Sequence, residues 1–221
     1  MGSKHGNRLL DDLMKYSQSE EIAIIYDNGV YDESITYVHL LSLVDKLQEE
    51  MNRKIEHKGG TDKQMCGAFF GSPSIKGIAI FLSCLRLNYI FVPISSKARK
   101  SSHFEIVKRY NIKHCLVEKN MLQIFLDALK FIDIKVKEIR TLRAMQMDYV
   151  LVILLMDSFL ALTLDRSCAY IVQSSGTTGT PKTIIVPDSC ITPNITDLRY
   201  VVLFSPCLCR HCFTRNISSL P

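Results

Sequence analysis

The chain has 221 residues, 47% of them apolar and 22% charged, with a formal net charge of +5. That balance describes an ordinary globular protein of one or two domains. Lys and Arg are scattered, and their densest group, Lys97, Arg99 and Lys100, reads as a solvated loop. No nucleic-acid partner is expected, because that would want a broad basic face with aromatics interleaved.

The opening "MGSKHGNRLLDDLMKYSQ" lacks an apolar signal region, and Gly6 stands where a myristoylation pattern wants Ser or Thr. Eight cysteines lie at 66, 84, 115, 168, 190, 207, 209 and 212. The first five are dispersed, several within apolar runs, as reduced buried thiols of a cytoplasmic protein would be. The sequons at Asn194 and Asn216 are then incidental.

A helix is predicted over 8–17, with Leu9, Leu10, Leu13 and Tyr16 on one side, then a strand "IAIIYD" over 22–27. "GVYDESITY" reads as a turn into a second strand. Apolar residues at 37, 40, 41, 44, 47 and 51 have helical spacing, so 37–52 is an amphipathic helix. "HKGGTDK" is a loop. A strand over 65–70, a helix over 74–88 and a strand over 89–94 follow, with Pro93 keeping the last near an end. A helix around 102–110, a strand over 114–119 and a helix over 121–131 come next, and "AYIVQ" (169–173) is a strand. "MDYVLVILLMDSFLALTL" (147–164) is the most apolar stretch, but Asp148 and Asp157 interrupt it. A membrane span needs about 20 apolar residues, so a buried strand followed by a helix or second strand is expected instead. Strands alternating with helices predict an α/β fold, a mostly parallel sheet flanked by helices.

The chemistry concentrates in "AYIVQSSGTTGTPKTIIV" (169–186). Gly176 and Gly179 free the backbone for close approach, so successive N–H groups can form an anion nest. Ser174, Ser175, Thr177, Thr178 and Thr180 supply hydroxyl donors. Lys182 supplies charge, and Pro181 stiffens the exit. The spacing is neither a Walker A loop nor a GxGxxG fingerprint. A plain Ser/Thr/Gly-rich surface turn is the alternative, but the whole string between two apolar β-runs favours phosphate.

"AYIVQSSGTTGTPK" resembles the phosphate-binding motif of the adenylate-forming superfamily, which includes acyl-CoA synthetases and the adenylation domains of peptide synthetases. "ITYVHLLSLVDKLQEEM" is similar to a helix near the N-terminus of that family. "IAIFLSCLRLNYIFVPISS" is similar to its helix-then-strand step, with Leu87 and Asn88 replacing a usual small pair. The resemblance covers roughly 20–197. "VPDSCITPNI", "HCLVEKN" and the apolar insert look most like the β-alanine-activating, aminoadipate-semialdehyde dehydrogenase-like branch. Two departures stand out: Thr183 where the family has Gly after the lysine, and Asp188 where many members have His. The first is expected to crowd the loop's exit, the second to bring negative charge near phosphates.

The resemblance implies two-step chemistry. A carboxylate attacks the α-phosphate of ATP, with Mg2+, to give an acyl-adenylate and pyrophosphate. A thiol acceptor, from CoA or a carrier phosphopantetheine, then takes the acyl group. By position, Ser174, Ser175, Gly176, Thr177, Thr178, Gly179, Thr180 and Lys182 would hold the β- and γ-phosphates. Residues 1–197 thus read as an incomplete, truncated N-terminal part of an adenylation domain, without the family's later motifs or its catalytic lysine, and catalytically inactive alone. The alternative is an inactive nucleotide- or phosphate-binding protein. Residues 198–221 form a divergent Cys-rich tail, read as a fragment end, a splice product or a gene-model error. In it Cys207, Cys209, His211 and Cys212 crowd more tightly than usual zinc spacings.

Overall fold

The computed structural model describes residues 8–27, 29, 32–55, 64–97, 103–146, 148–156, 168–174 and 182–190. The elements are α1 (Arg8–Met14), β1 (Ile22–Asp27), β2 (Asp32–Thr36), α2 (Tyr37–Lys54), β3 (Met65–Gly71), α3 (Ile75–Arg86) and β4 (Tyr89–Ser95). After these come α4 (Glu105–Arg109), β5 (His114–Glu118), α5 (Leu122–Phe131), β6 (Lys135–Thr141), β7 (Tyr149–Leu155), β8 (Cys168–Ser174) and β9 (Lys182–Pro187). Two expected helices are shorter than their apolar spacing suggested. α1 passes into a turn at Lys15, and α4 ends at Tyr110 before Asn111, whose φ of 48° is left-handed. The expected loop "HKGGTDK" lies outside the described residues apart from nearby Gln64.

β1 and β2 form an antiparallel pair apart from the main sheet, which has seven strands in the order β6-β7-β5-β3-β4-β8-β9. Its centre is parallel, through the β3–β4, β3–β5 and β4–β8 ladders. Its margins are antiparallel, through β5–β7, β6–β7 and β8–β9. The β4–β8 ladder has one registered pair, Phe91 with Tyr170. Pro93, two residues on, has no N–H to extend it.

Alternation along the strands builds two apolar layers. On one face Ala68, Phe70, Ile90, Val92, Cys115 and Val117 pack with Phe104, Ile106 and Val107 around α4 and with Phe125 and Leu129 of α5. On the other, Phe69, Phe91, Leu116 and Leu151 meet Leu47 and Met51 of α2 and Ile80 and Cys84 of α3. Helices therefore cover both faces, which is why the central strands are apolar in most positions. α3 starts where Ser74 Oγ accepts from Gly77 N at 3.1 Å. It stops at Leu87–Asn88, where Asn88 turns to a φ of 57°. That turn explains the unusual pair: Asn tolerates the left-handed conformation that a small residue would otherwise take.

β6, "KVKEIRT", was not foreseen. It is a margin strand whose residues alternate between exposed and half-buried, and Lys135 and Lys137 point outward, as suits an exposed edge. No helix among the described residues is long and apolar enough to cross a membrane, which leaves β-barrels untested. The expected apolar strand within 147–164 is β7; residues 157–164 lie outside the described ones.

Candidate functional site

β3, β4, β5 and β8 run the same way, so Gly71, Ser95, Glu118 and Ser174 end at one edge of the sheet. In open α/β sheets that carboxyl edge is where ligands bind. β8 is anchored by burial of Cys168, Ala169 and Ile171. At its far end the Gln64 side chain clips its start: Oε1 accepts from Cys168 N at 2.9 Å and Nε2 donates to Cys168 O at 3.2 Å.

β8 and β9 are antiparallel, with Ser174 opposite Lys182 and Gln173 opposite Thr183. Two residues of the candidate phosphate loop are therefore brought face to face at the carboxyl edge. Ser174 is half-buried and Lys182 exposed. Among the described residues Lys182 makes no ion pair. Its ammonium is thus available to an anion. Ser175, Gly176, Thr177, Thr178, Gly179 and Thr180 lie outside the described residues, as do Cys207, Cys209, His211, Cys212 and the whole 198–221 segment.

Of the two departures, Asp188 follows the end of β9 farthest from Lys182, where Pro187 pairs with Cys168. Six extended residues separate Asp188 from Lys182, roughly 20 Å. There Asp188 acts on Cys168, whose thiol burial first and that carboxylate second push up to about 11. Thr183 does not hang free into the loop's exit. Its Oγ1 accepts from Arg109 Nη1 at 3.2 Å.

A second group lies on the same edge beyond β5. Glu118 Oε2 accepts from Ser72 N at 2.6 Å, over Gly71, where a Cβ would sit 2.9 Å from Phe69 Cζ and 3.2 Å from Glu118 Oε2. Lys76 pairs with Asp148, and Ser74 Oγ lies 3.3 Å from the Tyr149 hydroxyl. Burial pushes that hydroxyl up to about 12. These groups line an open depression of about 670 Å3. Lys76 is paired and Glu118 is bonded, so the cluster reads as scaffolding for the edge. The sequence carried no signal for it, since its residues come from three separate segments.

The dispersed thiols are free, as expected, and Cys84, Cys115 and Cys168 are buried. Burial raises Cys66 and Cys84 to about 12 and lifts Cys115 as well. Burial thus favours the protonated, less nucleophilic thiol at each of these positions. Among the described residues no three His, Cys, Asp or Glu side chains gather to hold a metal.

No family model matches the sequence. The chain is 21% identical over 205 residues to the β-alanine-activating enzyme of Danio rerio, covering 86% of this chain and 17% of that protein. Its fold is similar to a fatty acyl-adenylate ligase from Legionella pneumophila, solved with acyl adenylate and pyrophosphate. That match has a TM-score of 0.58 at 18% identity and covers 87% of this chain and 32% of the ligase. It is also similar to ATP-bound MatB from Rhodopseudomonas palustris, with a TM-score of 0.57 at 12% identity, covering 85% of this chain and 36% of that one. The chain thus spans about a sixth of the curated relative and about a third of each solved one. Element order, sheet and neighbours agree: the chain has the fold of the adenylate-forming ligases, over about a third of their length.

Proposed function

We propose that this chain is the phosphate-holding part of an ATP-dependent acid–thiol ligase. The observation that carries the reading is the Ser174–Lys182 pair. It sits at the carboxyl edge of the sheet, at the two roots of a Ser/Thr/Gly-rich segment, and among the described residues the lysine makes no ion pair. In the reaction a carboxylate oxygen bonds to the α-phosphorus of ATP. The bond to the bridging oxygen breaks, and pyrophosphate leaves with that electron pair. Lys182 and the hydroxyls and N–H groups of residues 174–180 hold the β- and γ-phosphates, so the charge that grows on the leaving group meets fixed donors. Mg2+ would ride on the phosphate oxygens, as it does where few carboxylates are offered. The thiol sulfur of CoA or of a carrier phosphopantetheine then bonds to the acyl carbon, the acyl–phosphate C–O bond breaks, AMP leaves with that electron pair, and the thiol proton is released. The similarity to the Danio rerio enzyme favours an amino acid such as β-alanine as the acid, and the solved neighbours a fatty or other acyl acid. Reduced, buried thiols suit the cytoplasm.

The test is calorimetric titration of the chain with ATP, beside Lys182→Ala. A hydrogen bond to a charged group is worth about 1.5–3 kcal/mol, so the variant should bind about 10- to 100-fold more weakly. Equal affinity in both proteins would remove the phosphate loop from the reading.

A further inference from the structure

Lys182 is the first residue of β9, and the residue after it is gripped from the side. Arg109, the last residue of α4, donates to Thr183 Oγ1 at 3.2 Å. Lys182 stands opposite Ser174 and Thr183 opposite Gln173. Consecutive strand residues point to opposite faces, and directly paired residues share one. Thr183 therefore faces α4, and Lys182 and Ser174 face the other way. Among the described residues Arg109 makes no ion pair, so its recorded polar contact is this one.

Building on the phosphate reading above, we propose that Arg109 is a positioning residue for Lys182. It holds the Thr183 hydroxyl on the α4 face and so presets Lys182 on the opposite face beside Ser174. A glycine at 183 would offer no hydroxyl to hold and no side chain to set the strand's facing. Thr183 is thus a handle that lets α4 order the loop's root before phosphate arrives, and such preorganisation appears as affinity.

The experiment titrates the full chain with ATP, and separately with inorganic pyrophosphate, for the parent, Thr183→Val, Thr183→Ser and Arg109→Gln. Melting temperatures are read in parallel. Thr183→Val is nearly isosteric and lacks only the hydroxyl, while Thr183→Ser keeps it. Thr183→Val and Arg109→Gln should each weaken both ligands about five- to tenfold, the scale of one hydrogen bond. Thr183→Ser should stay within about twofold of the parent, and the double variant should add little to either single one because the two residues share one contact. Equal weakening by Val and Ser overturns the clamp, as does parental affinity in Thr183→Val with any fall confined to melting temperature. Either leaves the phosphate reading standing. A parent chain that binds neither ligand overturns both. If Arg109→Gln fails to fold, the Val and Ser pair still decides.

Discussion

Glu50 tests the packing argument most directly. It lies on α2, only 5% exposed, and its carboxylate accepts from Arg143 N at 2.9 Å and Ala144 N at 2.7 Å. Lys54, one turn on, stands at 3.5 Å. The carboxylate thus ties α2 to the turn between β6 and β7, on the sheet's far flank. Removing it in Glu50→Ala leaves two backbone donors without partners. At about 1–2 kcal/mol for each charge-assisted bond, the loss is about 3 kcal/mol, a large part of a typical domain's stability of about 5–15 kcal/mol. With a urea m-value of about 2–3 kcal/mol/M, the midpoint should fall by about 1 M or more. Glu50→Gln should fall between the two, since one oxygen still accepts while the new amide faces an N–H. Burial alone would raise the pKa of Glu50, but the bonds from Ala144 and Arg143, with Lys54, outweigh it and hold it below the usual value. The sign follows: a lowered folded-state pKa gives stability that is full above the ordinary Glu value of about 4.3 and is lost as pH falls through the lower folded value. The parent's margin over Glu50→Ala should therefore be constant from pH 7 to 5 and shrink below about pH 4. Urea midpoints within about 0.2 M of each other at pH 7, or a margin that grows in acid, would refute this account.

Other expectations follow from the same contacts. Gln64→Ala should lower stability by about 1–3 kcal/mol by urea titration, since it unclips Cys168 N and O at the start of β8; no change would mean that the clip is idle. Gly71→Ala should cost about 1–3 kcal/mol, because its Cβ meets Phe69 and Glu118. Site-resolved alkylation at pH 8 should label exposed Cys190 well before Cys84 and Cys115, which are fully buried; equal rates would contradict the packing. The chain assayed alone should bind ATP yet show no pyrophosphate exchange with β-alanine or fatty acids, and exchange abolished by Lys182→Ala would overturn that expectation.

Much of the fold was legible because its central strands are short, mostly apolar runs separated by helical spacing. β3, β4 and β5 are buried over most of their length, so composition marks them. β6 escaped because half of "KVKEIRT" faces water and its charges hide the alternation. Helix ends were off by a few residues: α1 stops at Met14 although Tyr16 keeps the apolar spacing, and α4 starts only at Glu105. The Glu118–Ser72 and Lys76–Asp148 contacts at the carboxyl edge join residues 46 and 72 positions apart. No local pattern encodes such pairs.

The two departures around Lys182 show why nearness in sequence misjudges a site. Thr183 and Asp188 both follow the lysine closely, and both were read as perturbing the phosphates. An extended strand advances about 3.4 Å per residue and flips its side chains at each step. One step from Lys182, Thr183 therefore turns to the other face and into the grip of Arg109. Six steps away, Asp188 reaches the opposite end of the hairpin and perturbs Cys168 instead. Under the proposed reading, the charge offered to phosphate at the described root of this segment is that of Lys182, and its facing is tied to a contact from a helix more than 70 residues earlier in the chain.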